Sequence, residues 1–121
     1  MKKKIFILDD NEELLDIMER LFQKEYIVHL KHDTTNIVEE IRQFSPDVIL
    51  LDHYIGNENS GKIIADLRNA NPLFSTPIIL FSAHPQLKET ALGTGAIGYI
   101  EKPSEIKYIR SYVRQVLEMQ N

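Results

Sequence analysis

Apolar residues along the chain fall into two alternating patterns. Short, nearly unbroken apolar runs occupy 5–8, 26–30, 48–51, 78–81 and 97–100. Between them lie longer stretches in which apolar positions recur every three or four residues. The runs at 5–8, 48–51 and 78–81 are rich in Ile, Leu and Val, as expected of strands covered on both faces of a parallel sheet. Leu14, Met18, Leu21 and Phe22 form the first helical stripe, opened by Asn11 as N-cap with Glu12 and Glu13 in the first turn. Ile37, Val38, Ile41 and Phe44 form a second, which stops before Pro46. Ile63, Ile64 and Leu67 form a third, closed by Asn71 and Pro72. The fourth stretch, after Pro85, is the weakest, with Leu87, Ala91 and then Gly93 and Gly95. Ile106, Ile109, Val113, Val116 and Leu117 form the last and most regular stripe.

Five strands alternating with five helices predict an α/β fold with a doubly wound five-stranded parallel sheet and right-handed crossovers. In such folds a ligand sits outside the carboxyl ends of the strands, where the strand order reverses. The length of 121 residues suits one domain with a sizeable core, spanning 1–121. No cysteine is present, which excludes disulfides, a thiolate nucleophile and a Cys-based zinc site. The net charge of −4, with Lys2, Lys3 and Lys4 as the one basic run, argues against direct nucleic-acid binding. No run approaches the roughly 18 apolar residues of a membrane span. Asp9 and Asp10 interrupt the first apolar run too early for a signal peptide, so the expected location is the cytoplasm.

The chemistry-bearing residues cluster in one kind of place. Asp9 and Asp10 follow the first apolar run, Asp52 closes the third, Ser82 the fourth and Lys102 the fifth. Taken singly, each has a plain structural reading. Asp-Asp before a helix caps it, an Asp after a strand starts a turn, Ser82 caps a helix, and Lys102 is a solvated lysine. Those readings do not explain why all fall at carboxyl ends. Three converging carboxylates repel, so some must be protonated or a cation must join them. Oxygen ligands without Cys or His favour Mg²⁺, which suits a phosphate partner.

With "LDD" after the first strand, "LLD" at the third, "FSA" at the fourth and "GYIEKP" at the fifth, the chain resembles the receiver domains of bacterial response regulators. The likeness, closest to the single-domain, chemotaxis-regulator type, covers essentially the whole chain. It implies a flavodoxin-like fold with strand order 2-1-3-4-5. It also implies that Asp52 takes a phosphoryl group from a histidine kinase or phosphotransfer protein. By the same resemblance Asp10 and Asp52 would bind Mg²⁺ directly with the Tyr54 carbonyl, and Asp9 largely through water. Lys102 would pair with Asp52, then with phosphoryl oxygens. Ser82 would donate its hydroxyl to the phosphoryl group, and Tyr99 would swing inward as the switch. The side chains of Tyr54 and His84 would tune the lifetime of the phosphoryl group, and the bond before Pro103 would be cis. Such a domain is not an enzyme in the ordinary sense, although it assists its own phosphorylation and dephosphorylation.

The loop "HYIGNENSG" departs from the family pattern, with Gly56 where proline is usual. Gly56, Asn57 and Asn59 tolerate left-handed backbone, which predicts a mobile loop. His53 and His84 are expected to be exposed beside the cleft, and His29 and His32 to lie on the surface far from it. Tyr112 is expected to be buried. Because the sequence stops after the last helix, output is expected through a partner-binding face. That face would comprise the fourth helix, fifth strand and last helix. Three rivals exist. A flavodoxin would present Ser, Thr and Gly amides where Asp9, Asp10, Glu12 and Glu13 stand. A Mg²⁺-dependent phosphatase with an Asp nucleophile carries its second acid two residues on and needs a cap. A degenerate receiver acting only as an interaction module is the remaining alternative.

Overall fold

Alternation within the apolar runs sends successive residues to opposite sides of one sheet, and each side has its own core. The computed structural model describes residues 2–55, 58–72, 74–83, 93, 95–102 and 105–119, and at Tyr54, Glu58 and Ile106 the backbone alone. Its elements are β1 Lys4–Leu8, α1 Glu12–Phe22, β2 Ile27–Lys31, α2 Ile37–Phe44 and β3 Val48–Asp52. The short strands β4 Tyr54–Ile55 and β5 Glu58–Asn59 follow. Then come α3 Ser60–Ala70, β6 Ile78–Ser82, β7 Gly98–Glu101 and a last helix, α4, Ile106–Met119. The large sheet has order β2-β1-β3-β6-β7, all neighbours parallel, which is the predicted 2-1-3-4-5. Four helices stand among the described residues where five were expected. The predicted helix after Pro85 lies outside them, as do His84 and Pro103. No helix among the described residues is long and apolar enough to cross a membrane.

On one face Ile5, Ile7, Val48, Leu50, Ile79, Phe81 and Ile100 pack against α1 and α4. On the other Phe6, Leu8, Ile49, Leu51, Ile78, Leu80 and Tyr99 pack against α2 and α3. Burial on both sides explains why β1, β3 and β6 read as continuous apolar runs rather than as alternating ones. Asn11 caps α1 as expected, its side chain accepting from the Leu14 N–H. Helix α2 ends at Ser45 in the left-handed region (φ 53°), because the following Pro46 disfavours right-handed helical backbone there.

Two expectations about exposure change. His29 is half-buried rather than superficial. Its ring stacks on Phe6 at 4.8 Å, and its Nε2 lies 3.1 Å from Glu40 Oε1. His32 is exposed, as expected. Tyr112 is half-buried rather than buried, because its hydroxyl reaches past the core to the outer edge of β7. There it accepts a hydrogen bond from the Tyr99 N–H at 3.2 Å.

That contact explains why Gly98 must lack a side chain. A Cβ there would overlap the Tyr112 hydroxyl and stand 2.9 Å from its Cζ. Gly98→Ala should therefore destabilise the fold by about 1–3 kcal/mol, as overpacking does. In a Tyr112→Ala background the same substitution should cost much less. Urea unfolding of the two single variants and the double variant checks this, and strictly additive costs would place the strain elsewhere.

Candidate functional site

Order reversal in the sheet occurs between β1 and β3, so the crevice of a doubly wound fold opens at their carboxyl ends. Leu8 registers with Leu51, which makes Asp9 and Asp52 neighbours across the two strands. Asp9, Asp10 and Asp52 each present one carboxylate oxygen, and these atoms lie within 4.8 Å of one another. Asp9 is buried, Asp52 half-buried and Asp10 exposed. Lys102 arrives from the end of β7, and its backbone N–H donates to the Ser82 carbonyl at 2.8 Å. Ser82 itself is buried at the end of β6. The structure thus brings Asp9, Asp10, Asp52 and Lys102 together, with Ser82 beside them on the adjoining strand.

Lys102 pairs with Asp52, as expected, and with Asp9 more closely. Its Nζ donates to Asp9 Oδ2 at 2.7 Å and stands 3.6 Å from Asp52 Oδ1. Asp9 is the more deeply buried acid, so leaving it unpaired would cost the more. Its other oxygen, Oδ1, accepts from the Asn11 N–H at 3.0 Å, so both oxygens are engaged. The Lys102 ammonium also sits 5.1 Å from the centre of the Phe81 ring, within cation–π range.

The segment after Asp52 departs from expectation at His53, while Gly56 and Asn57, where a mobile loop was expected, lie outside the described residues. His53 is buried, not exposed, and its Nδ1 shares a 2.6 Å hydrogen bond with Ser60 Oγ. Asn59 adopts extended backbone (φ −100°, ψ 165°) and caps α3, its side chain accepting from the Lys62 N–H. Strands β4 and β5 pair antiparallel, Tyr54 with Asn59 and Ile55 with Glu58. A signal for this hairpin was present in the sequence: Gly56-Asn57 is a two-residue connection of the hairpin type. The side chain of Tyr54 lies outside what the structure describes.

Three acids against one ammonium leave an excess of negative charge at the site. Burial, and next the neighbouring Asp9 charge, push the Asp52 carboxyl up to about 6, against the pull of Lys102. Folding therefore raises the proton affinity of Asp52. Its stabilising contribution is complete below about pH 4 and is lost as the pH rises through about 6. Above that range the ionised carboxylate costs the native state free energy. In chelator, Asp52→Asn should be more stable than the parent at about pH 8, and the gap should close toward about pH 4. Urea melts across that range read this directly; a gap independent of pH would contradict it.

Comparisons with known proteins agree with this geometry. The family described as the response regulator receiver domain matches residues 5–114. Among solved structures, the receiver domain of the Francisella response regulator 1452 superposes with a TM-score of 0.87 at 21% identity, covering 99% of this chain and 100% of that one. A CheY-like receiver domain protein from Methanospirillum hungatei gives 0.87 at 20% identity, with 99% and 97% covered. The Vibrio cholerae chemotaxis protein CheY4 gives 0.85 at 19%, with 96% and 99% covered. A sheet of this order, with paired acids after β1, an acid closing β3 and a lysine after β7, matched over residues 5–114, makes the chain a member of the response regulator receiver domain family of two-component signalling.

Proposed function

We propose that the chain is a phosphoacceptor signalling domain in which Asp52 takes a phosphoryl group from a histidine kinase or phosphotransfer protein, assisted by Mg²⁺. The observation that carries this reading is the convergence of Asp9, Asp10 and Lys102 on Asp52. The oxygen-only donor set, with its excess negative charge, fits a hard divalent cation. Asp10 and Asp52, with the Tyr54 carbonyl, would hold it directly, and Asp9 through water. When bound, the ion supplies charge neutralisation at the phosphoryl oxygens.

The chain's own residues do the rest. An Asp52 oxygen attacks phosphorus as the bond to the donor's nitrogen or acyl oxygen breaks, and charge spreads over the three phosphoryl oxygens. Lys102, held by Asp9, stands close enough to shift toward that charge, and the Ser82 hydroxyl is its counterpart at β6. Phosphorylation replaces one carboxylate charge by nearly two. The signal would pass from Ser82 to Tyr99. That ring is already buried, so the change would be one of packing within the core and not an entry from solvent. Exposed Ile97 and Tyr108 support a protein-docking face along β7 and α4. The domain would work in the cytoplasm, with no direct nucleic-acid or membrane partner.

Incubation with acetyl phosphate and Mg²⁺ should add the mass of one phosphoryl group to the parent and none to Asp52→Asn. Equal addition to both would sink the assignment. No addition to either would favour a degenerate receiver that acts only by binding partners. Tyr54 and His84, two positions beyond Asp52 and Ser82, are proposed to shield the phosphoryl group from water. Tyr54→Asn should accordingly speed its loss by about tenfold, equivalent to roughly 1.4 kcal/mol of barrier. Decay of purified phosphoprotein in excess Mg²⁺ measures this, and an unchanged rate would remove Tyr54 from the role.

A further inference from the structure

His53 and Ser60 flank the antiparallel pair of β4 and β5, one residue outside Tyr54 and Asn59. The Ser60 N–H donates to the His53 carbonyl at 2.8 Å. Their side chains also meet, sharing the 2.6 Å bond between His53 Nδ1 and Ser60 Oγ. His53 is 3% exposed and Ser60 0%. An imidazole and a hydroxyl buried this deeply cost free energy unless each satisfies the other, and an apolar pair would have filled the space without that demand. The polar pair gives direction, which apolar packing does not.

Its position gives that direction a use. Ser60 opens α3, which Ile63, Ile64 and Leu67 anchor in the core. His53 stands between Asp52 and Tyr54, two of the residues assigned to hold the cation. We propose that the His53–Ser60 pair is a positioning clamp, by which the anchored start of α3 fixes the Asp52 carboxylate and the Tyr54 carbonyl for a divalent cation. This rests on the Mg²⁺ reading given above. Mg²⁺ demands near-ideal octahedral geometry, so ligands left loose by a broken clamp would bind it more weakly.

Calorimetric titration with Mg²⁺ and amide NMR of the metal-free protein test the clamp. Ser60→Ala should raise the Mg²⁺ Kd by about tenfold and move the metal-free amide signals of Asp52, His53 and Tyr54. His53→Leu, which removes the bond while keeping an apolar filling, should do the same if Ser60→Ala folds poorly. Ile109→Val, a core truncation in α4 on the opposite side of the sheet from α3, should lower Tm and leave the Mg²⁺ Kd unchanged. Parental Kd values in the folded clamp variants would overturn the clamp alone, as would an equal weakening in Ile109→Val. Absence of Mg²⁺ binding to the parent would overturn the cation reading itself, and the clamp with it.

Discussion

One carboxylate oxygen from each of Asp9, Asp10 and Asp52 lies within 4.8 Å of the others at the carboxyl ends of β1 and β3, and the Lys102 ammonium is placed to answer two of these acids. Much of the molecule serves to keep that arrangement from relaxing. Like charges would separate if the chain allowed it, but Leu8 and Leu51, which precede Asp9 and Asp52, are almost wholly buried. Moving either acid would pull a core residue into water, at roughly 1.5–3 kcal/mol per large side chain. Lys102 relieves part of the repulsion from across the sheet, yet it is committed first to Asp9. Asp52 is therefore left with a raised proton affinity and an incompletely answered charge.

Core packing on the two sides of the sheet explains how one site could address two surfaces. Phe81 and Ile100 belong to the side covered by α1 and α4. Leu80 and Tyr99, their immediate neighbours, belong to the side covered by α2 and α3. Displacement of Ser82 or Lys102 would be felt in both cores, because interiors packed at crystal-like density transmit small shifts. Tyr112 then ties the outer edge of β7 to α4 through the Tyr99 N–H, which covers part of that sheet edge.

Structures at about a fifth identity superpose closely on this chain. The physical demands are correspondingly few: apolar runs of the right length, helices with one apolar face, and charged residues at the strand ends. Cores accept many apolar residues of suitable volume, so identity can drift while the pattern persists. After Asp52 the chain forms the short antiparallel pair β4–β5, with the buried His53–Ser60 bond beside it.

How much of this was written in the sequence follows from the range of the forces involved. Periodicity and capping are local, so the strands, the Asn11 cap, the stop before Pro46 and the carboxyl-end placement of Asp9, Asp10, Asp52, Ser82 and Lys102 were all legible. Motif resemblance supplied the strand order, which local pattern alone does not specify. The pairing of β4 with β5 was legible in principle, since Gly-Asn between two short strands is a hairpin-type dipeptide. Tertiary structure decided the choices between competing partners. Lys102 meets Asp9 before Asp52 because the depths of burial of the two acids differ, and depth is a property of the assembled sheet. His53 goes inside because Ser60 is there to bond it, a pairing created only when the hairpin closes. The raised proton affinity of Asp52 has the same origin, since burial and a neighbouring charge exist only once residues distant in sequence are packed together.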